Sequence, residues 1–334
     1  MIYYVCKYTP IELFRGFGEE CSVLEEMPEN FEQSDQIAHA NLCGFGKSVI
    51  QAVLEGKVKQ LVLVNCCDSA RRVYDIVEST GKCKFLYMLD LPHEDNECEK
   101  VKYAQAIMRL KKAYEKFSGK TFDKEAFLNS FTENETEMKP YIGLLGVRVT
   151  GILEKMIRDN IQMDVDNLTC TGGRQLAVVP EQMRQMDEEK MFLAYADALL
   201  CQIPCFRMNN NTRRNQLYLD PNLKGIIYHT IKFCDYYGFE YASIKRDIKV
   251  PLLKIETDFT SQSAGQLLTR IQAFEETIEG SEDMDPGKGI SEEARKKMES
   301  GIFYVAGIDS GSTSTDVVIL DQDGKIKSTM IIPT

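Results

Sequence analysis

Eleven cysteines and only three histidines define the chemistry open to this chain. The number of thiols is odd, residues 1–14 show no basic stretch leading into an apolar one, and a reducing compartment disfavours structural disulfides. Metal binding or thiol chemistry must then be weighed against the plain role of a small buried hydrophobe. His39, His93 and His229 fall in no zinc-type spacing, so an all-sulfur site is favoured. Six thiols have a supporting context. Cys66 and Cys67 follow the apolar run 61–64, Cys170 follows the run 161–165, and Cys234 follows the run 225–231. Cys43 stands before Gly44, Phe45 and Gly46 at the start of a helical pattern, and Cys205 follows Pro204 at the end of one. A thiolate at a helix N-terminus is stabilised by the dipole and free N–H groups, and glycines beside Cys43 and Cys170 let the backbone approach a cluster. Cys6, Cys21, Cys83, Cys98 and Cys201 lack such a context and are read as small hydrophobes. From composition and strand ends alone, a metal cluster and a set of reduced structural thiols both stay open.

Three further groups could do chemistry. His229 lies on an apolar run and Glu256 ends another, so both are candidates for moving a proton, His229 against the commoner role of a satisfied core histidine. The stretch GIDSGSTSTDVVILDQDGKI at 307–326 sets an acid and a hydroxyl-rich turn between two apolar runs. Backbone N–H groups and hydroxyls of Gly311, Ser312, Thr313, Ser314 and Thr315 would meet phosphate oxygens there, with Asp309 near Mg²⁺. A plain hairpin is the alternative. Lys47–Ser48 lacks the glycine spacing of a P-loop.

The elements that must position these groups read as α/β. Short apolar runs at 61–64, 85–89, 141–147, 161–165, 225–231 and 251–256 alternate with helical patterns, which implies crossover connections and parallel sheets covered by helices. In such sheets ligands bind at the carboxyl ends of the strands, so the thiols placed there would converge. The expected divisions are a first α/β domain over 1–138, a second over 139–279, a Gly-, Pro- and charge-rich linker over 280–301, and a three-strand segment over 302–334. Three strands make no independent domain, so the rest of that fold is expected beyond Thr334. A net charge of −11 argues against nucleic acid, and no window approaches the ~20 apolar residues of a membrane span, so the chain is read as cytoplasmic.

Seven blocks carry a family resemblance: CKYTPIELFRGFGEE at 6–20, NLCGFGKS at 41–48, NCCDSARRVYD at 65–75, DNLTCTGGRQ at 166–175, IPCFRMNNNTRR at 203–214, IIYHTIKFCDYYGFEY at 226–241 and IETDFTSQSAGQLLTRIQAF at 255–274. In this order they resemble the 2-hydroxyacyl-CoA dehydratase/benzoyl-CoA reductase superfamily, closest to its double-cubane cluster proteins. The resemblance implies two Rossmann-like (flavodoxin-like) domains with an iron–sulfur cluster between them. It maps the three cysteines of the dehydratase cluster onto Cys43, Cys67 and Cys234, and the additional double-cubane positions onto Cys170 and Cys205. Some relatives carry one more cysteine just after the latter, where this chain has Phe206 and Arg207. Cys66 is then the candidate sixth ligand or a buried neighbour of Cys67, and the cluster is [4Fe-4S] or double-cubane [8Fe-9S].

The 307–326 stretch resembles the first phosphate loop of the acetate kinase/Hsp70/actin superfamily, specifically the ATP-dependent activators of these dehydratases, whose fold is ribonuclease H-like. ATP and Mg²⁺ are expected only with the complete activator. The implied function is an iron–sulfur reductase charged by such a module, fused or separate, and acting on a small, hard-to-reduce substrate. The alternatives are a 2-hydroxyacyl-CoA dehydratase component, which eliminates water from an acyl-CoA through a ketyl radical, and a non-catalytic zinc or thiol protein. A low-potential donor such as ferredoxin or flavodoxin and a homodimer complete the expected partners.

Overall fold

The computed structural model describes residues 1–131, 139–174, 176–178, 180–209, 212–260, 264–282, 304–310, 314–321 and 325–333. By contacts the chain divides into Met1–Ile278 and Glu279–Thr334.

The first unit opens with β1 (Ile2–Tyr4), α1 (Ile11–Arg15), β2 (Cys21–Val23), α2 (Gly44–Leu54), β3 (Gln60–Val64), α3 (Asp68–Thr80), β4 (Phe85–Leu89), α4 (Glu97–Ser118) and α5 (Lys124–Leu128). It continues with β5 (Tyr141–Gly146), α6 (Gly151–Arg158), β6 (Asp164–Asn167), α7 (Pro180–Arg184), α8 (Glu188–Leu200), α9 (Thr212–Leu217), β7 (Leu223–Ile231), α10 (Asp235–Asp247), β8 (Leu252–Thr257) and α11 (Ala264–Glu282). Two four-stranded sheets result, with orders β2-β1-β3-β4 and β6-β5-β7-β8, and every pairing is parallel. The fold is α/β, consistent with two Rossmann-like halves. Both sheets repeat one order, in which the chain changes direction between the first and third strands, and that switch point opens a crevice at the carboxyl edge.

The central strands carry continuous apolar runs because helices cover both faces: residues 61–64 of β3 and all of β5 are buried. β1 is only three residues long and escapes periodicity analysis, yet it sits between β2 and β3. The segment after β6 crosses back. Met191, Phe192, Tyr195 and Leu199 of α8 belong to the core built on the first sheet, and Phe127 and Tyr195 meet edge to face at 5.2 Å.

Two glycines set the edge of the sheets. Gly146 ends β5 with φ of +93°, and a Cβ there would lie 2.1 Å from the His229 carbonyl oxygen. Gly44, the first residue of α2, lets the Asp258 carbonyl approach to where a Cβ would be 2.0 Å away.

The second unit is an antiparallel meander of β9 (Tyr304–Ser310), β10 (Ser314–Asp321) and β11 (Ile326–Pro333), with β10 central. Thr315 pairs with Ser310 and Asp316 with Asp309. Asp309, Ser314 and Thr315 thus flank the β9–β10 turn, while Gly311, Ser312 and Thr313 lie outside the described residues. No described helix is long and apolar enough to cross a membrane.

Candidate metal centre

Parallel strands bring their carboxyl ends to one edge, and the thiols gather there. Cys6 lies two residues past β1, Cys66 two past β3, Cys170 three past β6 and Cys234 three past β7. With Cys43, Cys67 and Cys205 they line one cavity of about 120 Å³. All six thiols singled out in the sequence are present. Cys6, read above as a buried hydrophobe, is a seventh; its signal was the run IYYV at 2–5, which breaks into a cysteine as 61–64 does before Cys66. Cys21, Cys83, Cys98 and Cys201 do not line the cavity.

Three of these cysteines occupy helix N-caps: Cys43 before α2, Cys67 before α3 and Cys234 before α10. The helix terminus does not decide their acidity alone, since burial pushes Cys43 up and Cys234 up to about 12. Cys67 is the exception, pulled down to about 6 by the hydrogen bond from the Cys66 thiol against its own burial, with the N–H groups of Ala70 and Ser69 adding to the effect. The Ala70 N–H stands 3.4 Å from the Cys67 sulfur. Cys66 in turn is raised, by that same bond to Cys67 and then by burial. Cys6 rises to about 12 through burial and the neighbouring Cys205 and Cys170.

The backbone is braced wherever a thiol leaves a strand. The Lys7 N–H donates to the Cys170 carbonyl at 2.8 Å, tying the Cys6 and Cys170 loops together. Arg174 donates to the carbonyls of Lys7 and Thr9 and pairs with Glu12, which also accepts from the Tyr195 hydroxyl. Arg207 donates to the carbonyls of Pro92, at 2.7 Å, and Leu91, at 2.9 Å. Arg214 donates to the Pro204 carbonyl at 3.2 Å and pairs with Glu240. The backbone on either side of Cys205 is therefore anchored by a buried arginine, at the Pro204 carbonyl by Arg214 and at Arg207 itself. Phe233, directly before Cys234, adopts φ of +65°, which costs a non-glycine residue roughly 1–2 kcal/mol.

Among the described residues no three His, Cys, Asp or Glu side chains converge closely enough for a single metal ion. The thiols surround a volume instead of a point, which suits a polynuclear cluster held by several thiolates. A second observation fits an anionic group in the cavity. Arg148 lines it, is 2% exposed, and among the described residues none of its three guanidinium nitrogens has a hydrogen-bond partner.

The two proton-transfer candidates fall elsewhere. His229 does not line the thiol cavity. Its Nδ1 lies 2.8 Å from the Arg148 carbonyl and its Nε2 2.9 Å from the Thr257 hydroxyl, beside a separate small cavity bordered by Met27, Met156 and Phe259. Glu256 borders an open groove with Thr230, Lys232 and Lys254 that shares Ile231 and Cys234 with the thiol cavity. The Lys254 ammonium, 3.0 Å away, holds its carboxyl below the usual range.

Burial lowers His229 to about 4, so the folded protein binds fewer protons than the unfolded chain between pH 4 and 6.5. Stability contributed by the neutral imidazole is present above pH 6.5 and lost as pH falls toward 4, by about 3 kcal/mol. In urea unfolding from pH 7 to 4, the advantage of the wild type over His229→Asn should shrink by about that amount. A difference that stays flat over this range would show that His229 titrates normally.

A family profile described as 2-hydroxyglutaryl-CoA dehydratase, D-component, matches residues 6–139 and 132–278, which is nearly the whole of the first unit. A protein with the provisional name of dehydratase subunit YjiM, from Escherichia coli (strain K12), is 27% identical over 180 residues, 47% of this chain and 45% of that protein. The (R)-phenyllactyl-CoA dehydratase beta subunit of Clostridium sporogenes is 27% identical over 157 residues, 42% of this chain and 40% of that protein. The matched stretches thus span less than half the length of either relative.

Proposed function

This chain belongs to the 2-hydroxyglutaryl-CoA dehydratase D-component family, and on that premise we propose that it is the cluster-holding component of a 2-hydroxyacyl-CoA dehydratase-type lyase. The carrying observation is the cavity of seven thiols at the carboxyl edge of both sheets, inside the span that matches the family. An iron–sulfur cluster bound there would supply single electrons at low potential. Cys43, Cys67 and Cys234 would hold it from three helix N-termini, where N–H groups favour thiolates. The groove that shares Cys234 with the cavity is the approach for a substrate, and the Glu256 carboxylate on its rim is the base placed to accept a proton there. Partners on this reading are an ATP-dependent activator, a ferredoxin- or flavodoxin-type donor, and a second copy of the chain. The meander with Asp309 at its first turn supports reading the second unit as the opening of such an activator.

A second reading, the ATP-driven reductase of a small substrate, is favoured by one observation: the cavity holds four thiols beyond the three that a dehydratase cluster needs by resemblance. Anaerobic purification with iron and acid-labile sulfide analysis separates the readings. The protein is expected to be coloured and to contain both elements, and Cys170→Ala and Cys205→Ala are expected to keep full iron if a single cluster of the dehydratase type is present. Partial iron loss in both variants would favour the double-cubane reductase, and a colourless zinc protein would end both. With activator, ATP and a reductant, the dehydratase reading requires water elimination from a 2-hydroxyacyl-CoA.

A further inference from the structure

Arg148 stands where the first sheet places a thiol. The two sheets share one strand order, so β1 corresponds to β5 and β3 to β7. Three residues past β3 is Cys67, and three past β7 is Cys234, each capping the helix that follows. Two residues past β1 is Cys6, and the matching position two past β5 is Arg148. Both switch points thus face the same cavity, one offering sulfur and the other a guanidinium.

That guanidinium is costly unless something in the cavity answers it. A buried cation without partners forfeits its hydration, and each of its N–H groups goes unmatched. Arg148 is fixed all the same. Its Cζ lies 3.6 Å from the centroid of the Phe45 ring, and Phe45 packs edge to face on Phe259 at 5.4 Å. Its carbonyl oxygen lies 2.8 Å from Nδ1 of His229, where it can only accept, and the turn that leads to it requires Gly146. The carboxylate in its neighbourhood, Glu25, is exposed and accepts from the Gly151 N–H at 2.9 Å. Cys170, Cys6 and Cys66 also stand close enough that their thiolate forms would favour the charged guanidinium.

We propose that Arg148 is an internal counter-ion and hydrogen-bond donor to an anionic iron–sulfur cluster in the thiol cavity, setting its reduction potential without ligating it. The inference rests on the cluster reading above. Reduction adds negative charge beside a fixed positive one in a low-dielectric site, so the guanidinium favours the reduced state. His229 and Phe45 are positioning residues for it. The face of Phe45 and the Arg148 carbonyl hold the side chain's plane and root, leaving its N–H edges for the cavity.

The test uses the full chain, purified anaerobically, with iron and sulfide content and the midpoint potential from a visible and EPR redox titration. Arg148→Met is expected to fold with a midpoint shifted to more negative values, or to fold with clear loss of iron, while Arg148→Lys, which keeps the charge, stays closer to wild type. Should the methionine variant not fold, Arg148→Gln, which keeps N–H donors without charge, is expected to show the same negative shift. Full iron with an unchanged midpoint in either neutral variant overturns the proposal. Wild-type protein that binds no iron under reconstitution instead overturns the cluster reading itself, and the proposal with it.

Discussion

On the double-cubane reading Cys6→Ala is expected to remove about half of the bound iron, as Cys170→Ala would, whereas a single dehydratase-type cluster leaves the iron of both variants unchanged. The argument comes from neighbourhood. After burial, Cys6 senses Cys205 and Cys170 most, Cys43 senses Cys67, and Cys234 senses Cys43 and Cys67 before Cys170. Two sets of three thiols emerge, Cys6 with Cys170 and Cys205, and Cys43 with Cys67 and Cys234. The Lys7 N–H bond to the Cys170 carbonyl makes the first set a single backbone-linked piece. Cys66 is then the odd thiol, acting on Cys67 as a hydrogen-bond donor. Iron analysis of anaerobically prepared Cys6→Ala and Cys66→Ala checks this assignment. If Cys66→Ala loses the iron and Cys6→Ala keeps it, the sixth ligand is Cys66 and the grouping is wrong.

Glu240→Gln should lower the unfolding free energy by about 3–5 kcal/mol in urea titration. Glu240 and Arg214 are both 3% exposed on their side chains, and Glu240 also accepts from the Tyr228 hydroxyl. Neutralising the carboxylate leaves Arg214 buried with its charge uncompensated, and a lone buried cation costs far more than a surface pair is worth. The loss reaches the site as well. Arg214 donates to the Pro204 carbonyl, next to Cys205, so iron held through Cys205 should fall in parallel. Glu240→Gln that unfolds within 1 kcal/mol of wild type would mean that the pair is open to solvent.

Much of the scaffold was legible in the residues. Alternating apolar runs and helical patterns read as α/β because a parallel strand covered on both faces has no polar side to show, as in 61–64 and 141–147. Thiols directly after such runs were legible for a topological reason: parallel strands end at a common edge. Cys66, Cys67, Cys170 and Cys234 line one cavity on that account, joined by Cys43 at a helix start and Cys205 past a helix end.

Other features depended on contacts between residues far apart in the chain. β1 has three residues, too few for any period, so neither the strand nor Cys6 behind it stood out. The register of β5 against β7 sets His229 against the Arg148 carbonyl and Thr257, away from the thiols, because successive side chains on a strand face opposite sides. α8 follows the second sheet's β6 in sequence but packs on the first core, since its buried face matches α4 and the Phe127 cluster. Arg148 is the sharpest case. In sequence it is one arginine between two valines, whereas in the fold it is a buried cation whose guanidinium finds no hydrogen-bond partner among the described residues and lines a cavity with seven thiols. The chain by itself determined that sulfur chemistry would sit at strand ends, through local hydrophobic pattern and residue type. Tertiary packing alone decided which charges stand beside that sulfur, because the cost of burying a charge depends on the neighbours that folding brings to it.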